Sequence, residues 1–370
     1  MNILIYFPYN QRTVELQSMM EKLVHLGNKV VLLTSTKKGY LHDYVQRFGV
    51  VTETAGEAQS KLNFYTSNLK RLSSVIKKHE IEIVIAHQQK PALVAGLLRI
   101  FRPFKLIYVR HNSDEDYQIF PRKAKWLNKI VNALTPVKLA PSSIVQKFWI
   151  EHEGVPAKQI YRINSGYNFQ YYEKPIPEEV AKIRDAYAAK LLVLSMARFV
   201  PAKRHPEMFS IISRLVKEGV DLKMMCLSGG PMEEQLKSLV DELEMRERIF
   251  LVGIKENIFD YIEACDVFMH LSTSEASNNA VKEVGLRKKP VIVCKGVGDF
   301  EDYIIDGKNG FLVDKDDPVP ETYLILKNIA ADKIDRAEIG EQLFKTITDR
   351  FDIEKVTDDY SCLLNYVIEN

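Results

Sequence analysis

Short, near-continuously apolar runs recur along this chain in two series, and nothing else in it constrains the fold as much. The first series reads NILIYF, KVVLLT, EIVIA, KLIYVR and VKLAP. These runs are rich in Ile and Val and do not alternate with polar residues, a pattern that fits a sheet covered on both faces. Between them lie helical patterns such as VELQSMMEKLVHLG, which Gly27 is placed to end, and SNLKRLSSVIKKH. Such alternation predicts a parallel, doubly wound α/β domain. After the polar, proline-containing stretch YNFQYYEKPIPEE the pattern restarts with LLVLSM, LKMMCLS, IFLVG, DVFMHL, PVIVC and GFLV. At 370 residues the chain exceeds one ordinary core. The expected organisation is two doubly wound domains, 1–170 and 171–350, facing across a cleft between the carboxyl ends of their sheets, where such folds bind ligands. The stretch IEKVTDDYSCLLNYVIEN, within 351–370, is amphipathic and is expected to fold back across the first domain.

Charge is divided unevenly between these halves. Residues 1–170 carry 24 Lys and Arg against 12 Asp and Glu, and residues 171–370 carry 27 against 37, so the halves stand at +12 and −10. The first half is thereby suited to meet something negative: a phosphate, an anionic glycolipid or a membrane surface. Nucleic acid is disfavoured, because no recognised binding motif accompanies the charge. Within that half, FPRKAKWLNKIVNALTPVK sets Arg122, Lys123, Lys125, Trp126 and Lys129 on an expected helix. It reads either as an ordinary amphipathic helix with its tryptophan in the core, the commoner case, or as a helix lying on an anionic membrane face. Cys226, Cys265, Cys294 and Cys362 form no CxxC pair and read as small core residues of a reducing compartment. The start MNILIYFPYN has no basic region of a leader type, and no run of about 18 uncharged apolar residues exists to span a bilayer. A cytoplasmic protein, peripheral at most to the inner membrane face, is expected.

The segment SEASNNAVKE places Glu275 and Glu283 after an apolar strand with seven residues between them. On one continuous helix the two would stand about 12 Å apart and roughly 80° out of phase, too far to work on one small group. Ser277, Asn278 and Asn279 instead read as a loop ending in a helix N-cap, which puts Glu275 at a strand's carboxyl edge and Glu283 a turn inside the next helix. Taken alone the segment reads more commonly as an N-capped helix with a solvated face; otherwise two ends of an extended, hydroxyl-rich ligand are within reach, with the helix N-terminus between them. Directly after LLVLSM comes ARFVPAKRH, in which Arg198 and Lys203 read either as an exposed basic loop, the commoner case for such a segment alone, or as a pyrophosphate clamp. Gly229 and Gly230 in LSGGPMEEQL offer close backbone approach to a ligand, or only a turn.

The order of these pieces says more than any one of them. Strand, ARFVPAK, strand, SGGP, strand, LVG, strand, the two-glutamate segment, strand PVIVC and then GVGDFEDYIIDGKNGFLV follow one another over residues 190–318. This succession resembles the C-terminal domain of the glycosyltransferase family 4 enzymes, retaining transferases of the GT-B architecture with two Rossmann-like domains. The resemblance implies that Arg198 and Lys203 hold the diphosphate of a nucleotide-sugar donor, Glu275 contacts the transferred sugar, and Glu283 binds the ribose hydroxyls. Gly229, Asn278 and Asn279 join them as donor-binding residues, the two asparagines through backbone N–H groups. It implies an N-terminal domain for the acceptor, with His111 reaching the donor sugar near the reacting carbon, and with Arg12, His87 and Asp114 as further cleft candidates. Gly166, in RINSGYN, falls at the family's domain junction and reads as a hinge.

This chain departs from the family pattern in three places. Where members carry a glycine pair after the first strand it has PYNQRT, so either Arg12 substitutes a side-chain contact or the loop is simply altered. Ala276 stands for a glycine, and Gly298-Asp299 for a second glycine pair. Asp306 to Gly310, DGKNG, reads as a turn into a strand. The implied function is transfer of a hexose or N-acetylhexosamine from a nucleotide diphosphate sugar, a UDP-sugar first, to a glycan or lipid-linked acceptor. The co-substrate is the only small molecule required: no cofactor and no metal are expected. A nucleotide-sugar 2-epimerase of the same architecture and a non-catalytic sugar-nucleotide binding subunit remain the alternatives.

Overall fold

The computed structural model describes residues 1–56, 60–111, 117 and 121–370. The chain forms two compact units, Met1–Tyr171 with Arg350–Asn370, and Tyr172–Asp349. In the first, β1 (Asn2–Phe7), β2 (Lys29–Thr34), β3 (Val51–Thr54), β4 (Ile83–His87), β5 (Lys105–Val109), β6 (Val137–Ala140) and β7 (Ile160–Arg162) make one parallel sheet in the order β3-β2-β1-β4-β5-β6-β7. In the second, β8 (Leu191–Met196), β9 (Leu222–Leu227), β10 (Ile249–Gly253), β11 (Val267–His270), β12 (Val291–Cys294) and β13 (Phe311–Val313) pair in parallel in the order β10-β9-β8-β11-β12-β13. Each order reverses once, between β1 and β4 and between β8 and β11. Those reversals are the switch points at which open α/β sheets bind ligands outside their carboxyl ends.

The apolar runs are the central strands, and they are buried as their composition requires. Ile3, Leu4, Ile5 and Tyr6 of β1 and Leu192, Val193 and Leu194 of β8 have no exposed surface. Each such aliphatic side chain contributes roughly 1.5–3 kcal/mol relative to leaving it in water. Strands β3 and β7 carry no apolar run: VTET and IYR are short edge strands, which need cover on fewer sides and so leave little trace in the sequence. Gly27 ends the helix Val14–His25 at φ +80, its N–H donating to Val24 O and that of Asn28 to Leu23 O. The helix Lys61–His79 starts six residues before the pattern quoted above, with Ser60 accepting from the Asn63 N–H as N-cap.

The helix Ile353–Glu369 belongs to the first unit's core. Its Val356, Tyr360, Leu363, Leu364 and Val367 pack in one cluster with Leu16, Met19, Met20 and Leu23 of the helix Val14–His25. The segment leading into it is tied in by Tyr167 N–H to Phe351 O and Ile353 N–H to Tyr167 O. Gly166 serves this approach. A Cβ there would stand 2.8 Å from Ile353 Cδ1 and 3.0 Å from Val356 Cβ, so close packing by itself requires a glycine at this position. Among the described residues, no helix is long and apolar enough to cross a membrane. Cys226, Cys265 and Cys294 are buried, Cys362 is exposed, and all four are free thiols.

Candidate functional site

The carboxyl edge of the second sheet gathers Arg198, Lys203, Gly229, Glu275 and the residues around them on loops laced to one another. After β8, the Phe199 N–H donates to Gly229 O at 3.1 Å and the Met232 N–H returns to Phe199 O at 3.1 Å. Gly230 is the residue that permits this: a Cβ there would lie 2.6 Å from Phe199 O, whereas at Gly229 it would meet only Glu233 Oε2 at 3.6 Å. Of the two expectations for this pair, close approach to a ligand or only a turn, Gly230 serves the packing of the turn against the loop after β8. The Thr273 N–H donates to Ala202 O at 2.9 Å, joining the loop after β11 to the loop after β8.

Arg198 is exposed, while Lys203 is mostly covered and ion-paired with Glu275, with its ammonium 3.3 Å from Ser272 Oγ. Glu275 Oε1 also lies 2.7 Å from His270 Nε2. Burial raises the Glu275 pKa, but the His270 hydrogen bond and the charges of His270 and Lys203 outweigh it and hold the carboxyl well below the usual carboxylate range. The group is therefore an anion throughout the physiological range. His270 ends β11 and is the single polar residue of an otherwise apolar strand. That interruption of DVFMHL was the signal by which sequence reasoning would have found it.

Asn278 is the N-cap of the helix Asn279–Leu286, its Oδ1 accepting from the Val281 N–H at 3.0 Å. Asn279 opens the helix and Glu283 stands half-buried on it, so the two glutamates occupy a loop and a helix. Behind the loop, Asp299 accounts for the unusual Gly298-Asp299 pair. Its fully buried carboxylate accepts from Lys282 Nζ at 2.6 Å, Ser277 Oγ at 2.8 Å and the Asn278 N–H at 3.3 Å. Lys282 is equally buried, and the pair ties the loop carrying Glu275 to the turn after β12. Gly298, at φ +56, completes the contact, since a Cβ there would stand 2.7 Å from Glu275 Cβ. Lys282, Asp299, His270 and Ser272 were missed from sequence. Asp306 to Gly310 is a turn, as read: Asn309 is buried, donating to Tyr303 O at 2.9 Å and accepting from the Ile305 N–H at 2.6 Å.

In the first unit, His87 ends β4 and His111 follows β5, with His87 Nδ1 2.8 Å from His111 Nε2. The edge of Phe7, the last residue of β1, packs against both rings. Burial pushes the His111 imidazole down to about 4, and burial followed by the His111 charge pushes His87 well below its ordinary value, so both are neutral at pH 7. Arg110, beside His111, is buried in an ion pair with Glu153 at 2.7 Å. Arg12 is exposed on the glycine-free loop, whose Asn10 instead anchors it, donating to Lys37 O at 2.7 Å and filling the space beside Gly39. Asp114 lies outside the described residues. On the helix Pro121–Leu134 the inward residues are Ala124, Asn128 and Val131, while Arg122, Lys123, Lys125 and Lys129 are exposed and Trp126 is 68% exposed. The commoner expectation of a buried tryptophan is therefore overturned: the small and polar residues turn inward and the indole outward.

Two doubly wound parallel sheets, each with its ligand edge at a switch point, define the GT-B class of fold. Anabaena HepE, solved in complex with UDP, superimposes with a TM-score of 0.83 at 19% identity over 99% of this chain and 100% of that one, and a complex of the same protein with UDP-glucose gives 0.82. Residues 178–341 match the family described as glycosyl transferases group 1, and residues 16–171 that described as glycosyltransferase family 4. The chain belongs to this family, the group 1 or family 4 glycosyltransferases. Among curated relatives, the lipopolysaccharide core biosynthesis glycosyltransferase LpsE of Rhizobium meliloti is 29% identical over 53% of this chain and 56% of its own length. The O-antigen biosynthesis glycosyltransferase WbnH of Escherichia coli is 25% identical over 66% of each chain. The match spans about half the length of the first such relatives, 56% and 53%.

Proposed function

We propose that this protein is a retaining, metal-independent glycosyltransferase that moves a hexose or N-acetylhexosamine from a nucleotide diphosphate sugar, a UDP-sugar first, to a glycan or lipid-linked acceptor in bacterial surface polysaccharide or lipopolysaccharide synthesis. The observation that carries the reading is the meeting of Lys203 with Glu275 at the second sheet's carboxyl edge, with Arg198 on the segment that leads from β8 to Lys203 and Glu283 on the helix that follows the Glu275 loop. Cation and carboxylate there suit a ligand with a diphosphate at one point and vicinal hydroxyls at the next. Arg198 and Lys203 take up the charge that grows on the departing phosphate, the part a divalent ion plays elsewhere. Glu275, released from Lys203 as the diphosphate arrives, accepts from sugar hydroxyls. Glu283 accepts from the ribose, and Gly229, Asn278 and Asn279 line the donor. The C1–O bond to the β-phosphate breaks as the C1–O bond to the acceptor forms on the same face, and the departing phosphate takes the acceptor's proton. The relatives' roles in lipopolysaccharide and O-antigen synthesis support the acceptor class, and the UDP complexes of HepE support the donor. The exposed basic helix Pro121–Leu134, with its outward Trp126, supports work at an anionic membrane face.

The test is thermal stabilisation against UDP-, GDP-, ADP- and TDP-sugars, with Glu283→Ala alongside. A UDP-sugar at a hundredfold excess over its Kd is expected to stabilise the chain by about 2.7 kcal/mol. Glu283→Ala should weaken binding about 10- to 100-fold, as for loss of hydrogen bonds to a charged group. A chain that shifts with no nucleotide would sink the reading.

A further inference from the structure

The histidine pair at the first sheet's carboxyl edge is built as one unit. The His87 and His111 rings are 27° from coplanar, joined Nδ1 to Nε2 at 2.8 Å. Gln88, directly after His87, has φ +71 and ψ 167, a backbone conformation costing about 1–3 kcal/mol in a residue other than glycine. The chain takes this strained step exactly where β4 turns into the helix Gln89–Arg99, and it holds it with the Gln88 N–H donating to Val109 O at 2.9 Å.

A neutral imidazole carries one N–H, so the proton between these rings sits in one of two ways. If His111 Nε2 donates, the proton of His87 lies on Nε2. That nitrogen is buried and has no hydrogen-bond partner among the described residues, and a stranded donor there costs about 1–3 kcal/mol. If His87 Nδ1 donates, its Nε2 is a bare acceptor, which proteins leave unpaired more readily than an N–H. The second arrangement wins. We infer that His87 is a positioning residue that fixes His111 as the Nδ1–H tautomer, so that His111 meets a ligand as a hydrogen-bond donor and not as a base.

The identity of that ligand, a donor-sugar hydroxyl, rests on the transferase reading; the tautomer does not. A donor at this point leaves the acceptor's proton to the departing phosphate. The test is nitrogen-15 NMR of the full chain labelled at histidine, with His111 assigned by its loss in His111→Asn. Expected are a protonated Nδ1 and a bare Nε2 on His111, and the same pattern on His87. His87→Leu should release the tautomer and lower kcat by about 10-fold, the size of one hydrogen bond, with KM for the donor little changed. His87→Asn, whose amide Nδ2 takes the place of Nδ1, should restore both. A wild-type His111 protonated at Nε2, or a His111 pattern unmoved by His87→Leu, would overturn the inference. A chain with the expected tautomer and no transfer activity would instead refute the transferase reading alone.

Discussion

The two sheets share a topology, yet their carboxyl edges hold different chemistry at the point where the loops meet. The second is ionic: Lys203 with Glu275 at the front, Lys282 with Asp299 behind, and a chain of hydrogen bonds joining successive loops. The first sets two uncharged histidines against Phe7, and its buried ion pair, Arg110 with Glu153, stands beside them. A doubly wound sheet guarantees only that loops converge at the switch point. What converges there is decided loop by loop.

The sharpest way to break this contrast is to remove the buried charge behind the second edge. Asp299→Ala leaves Lys282 charged and buried, and it is expected to cost about 3–5 kcal/mol in urea unfolding of the second unit. Replacing Lys282 with Met in the same chain should recover most of it. A single-mutant loss below about 1 kcal/mol would mean that ionic lacing does not hold this edge.

A smaller effect concerns the basic surface of the first unit. Lys123→Gln with Lys125→Gln should weaken binding to anionic vesicles about 30-fold, at about 1 kcal/mol per cation. Trp126→Ala should weaken it further, and vesicles of neutral lipid should bind poorly throughout. Equal binding to neutral and anionic vesicles would remove the charge asymmetry as a guide to function.

The smallest effects are in pH dependence. With its pKa lowered by burial to about 4, folded His111 stays unprotonated where the unfolded chain, at about 6.5, binds a proton. Stability must then fall as pH drops from about 6.5 to about 4. His111→Asn should flatten that limb by at most about 1.4 kcal/mol per pH unit, one proton's worth, while His87 and His205, also lowered by burial, keep part of the slope. Glu275 runs the other way in cause. Its folded pKa is depressed, so its contribution is complete above the unfolded value of about 4.3 and is lost only as pH falls further. Glu275→Gln should flatten that lower limb, measured as urea midpoints from pH 7 to pH 3. An unchanged slope in either variant would show that the edge in question does not titrate as described.

The central strands were legible because burial on both faces of a sheet forces an unbroken apolar run, as in LLVLSM and EIVIA. The edge strands β3 and β7 were not, since a strand covered on fewer sides need not be apolar. An N-cap closing the Ser277–Asn279 loop was legible because capping is a local interaction between a side chain and the next turn, although the cap is Asn278 and the helix begins one residue earlier than expected, at Asn279. Trp126 was misread by the commoner expectation, because the inward face of its helix includes Asn128, which no apolar periodicity reveals.

By itself the sequence determined the two α/β halves, the loops that carry the candidate residues, and their order, all of which follow from patterns within a few turns or one strand. Only the tertiary structure decided that Lys203 meets Glu275, that Asp299 answers Lys282, that His87 reaches His111, and that Gly166 and Gly230 are there for packing. These contacts join residues far apart in the chain. Their energy depends on burial and direction, which no local pattern records.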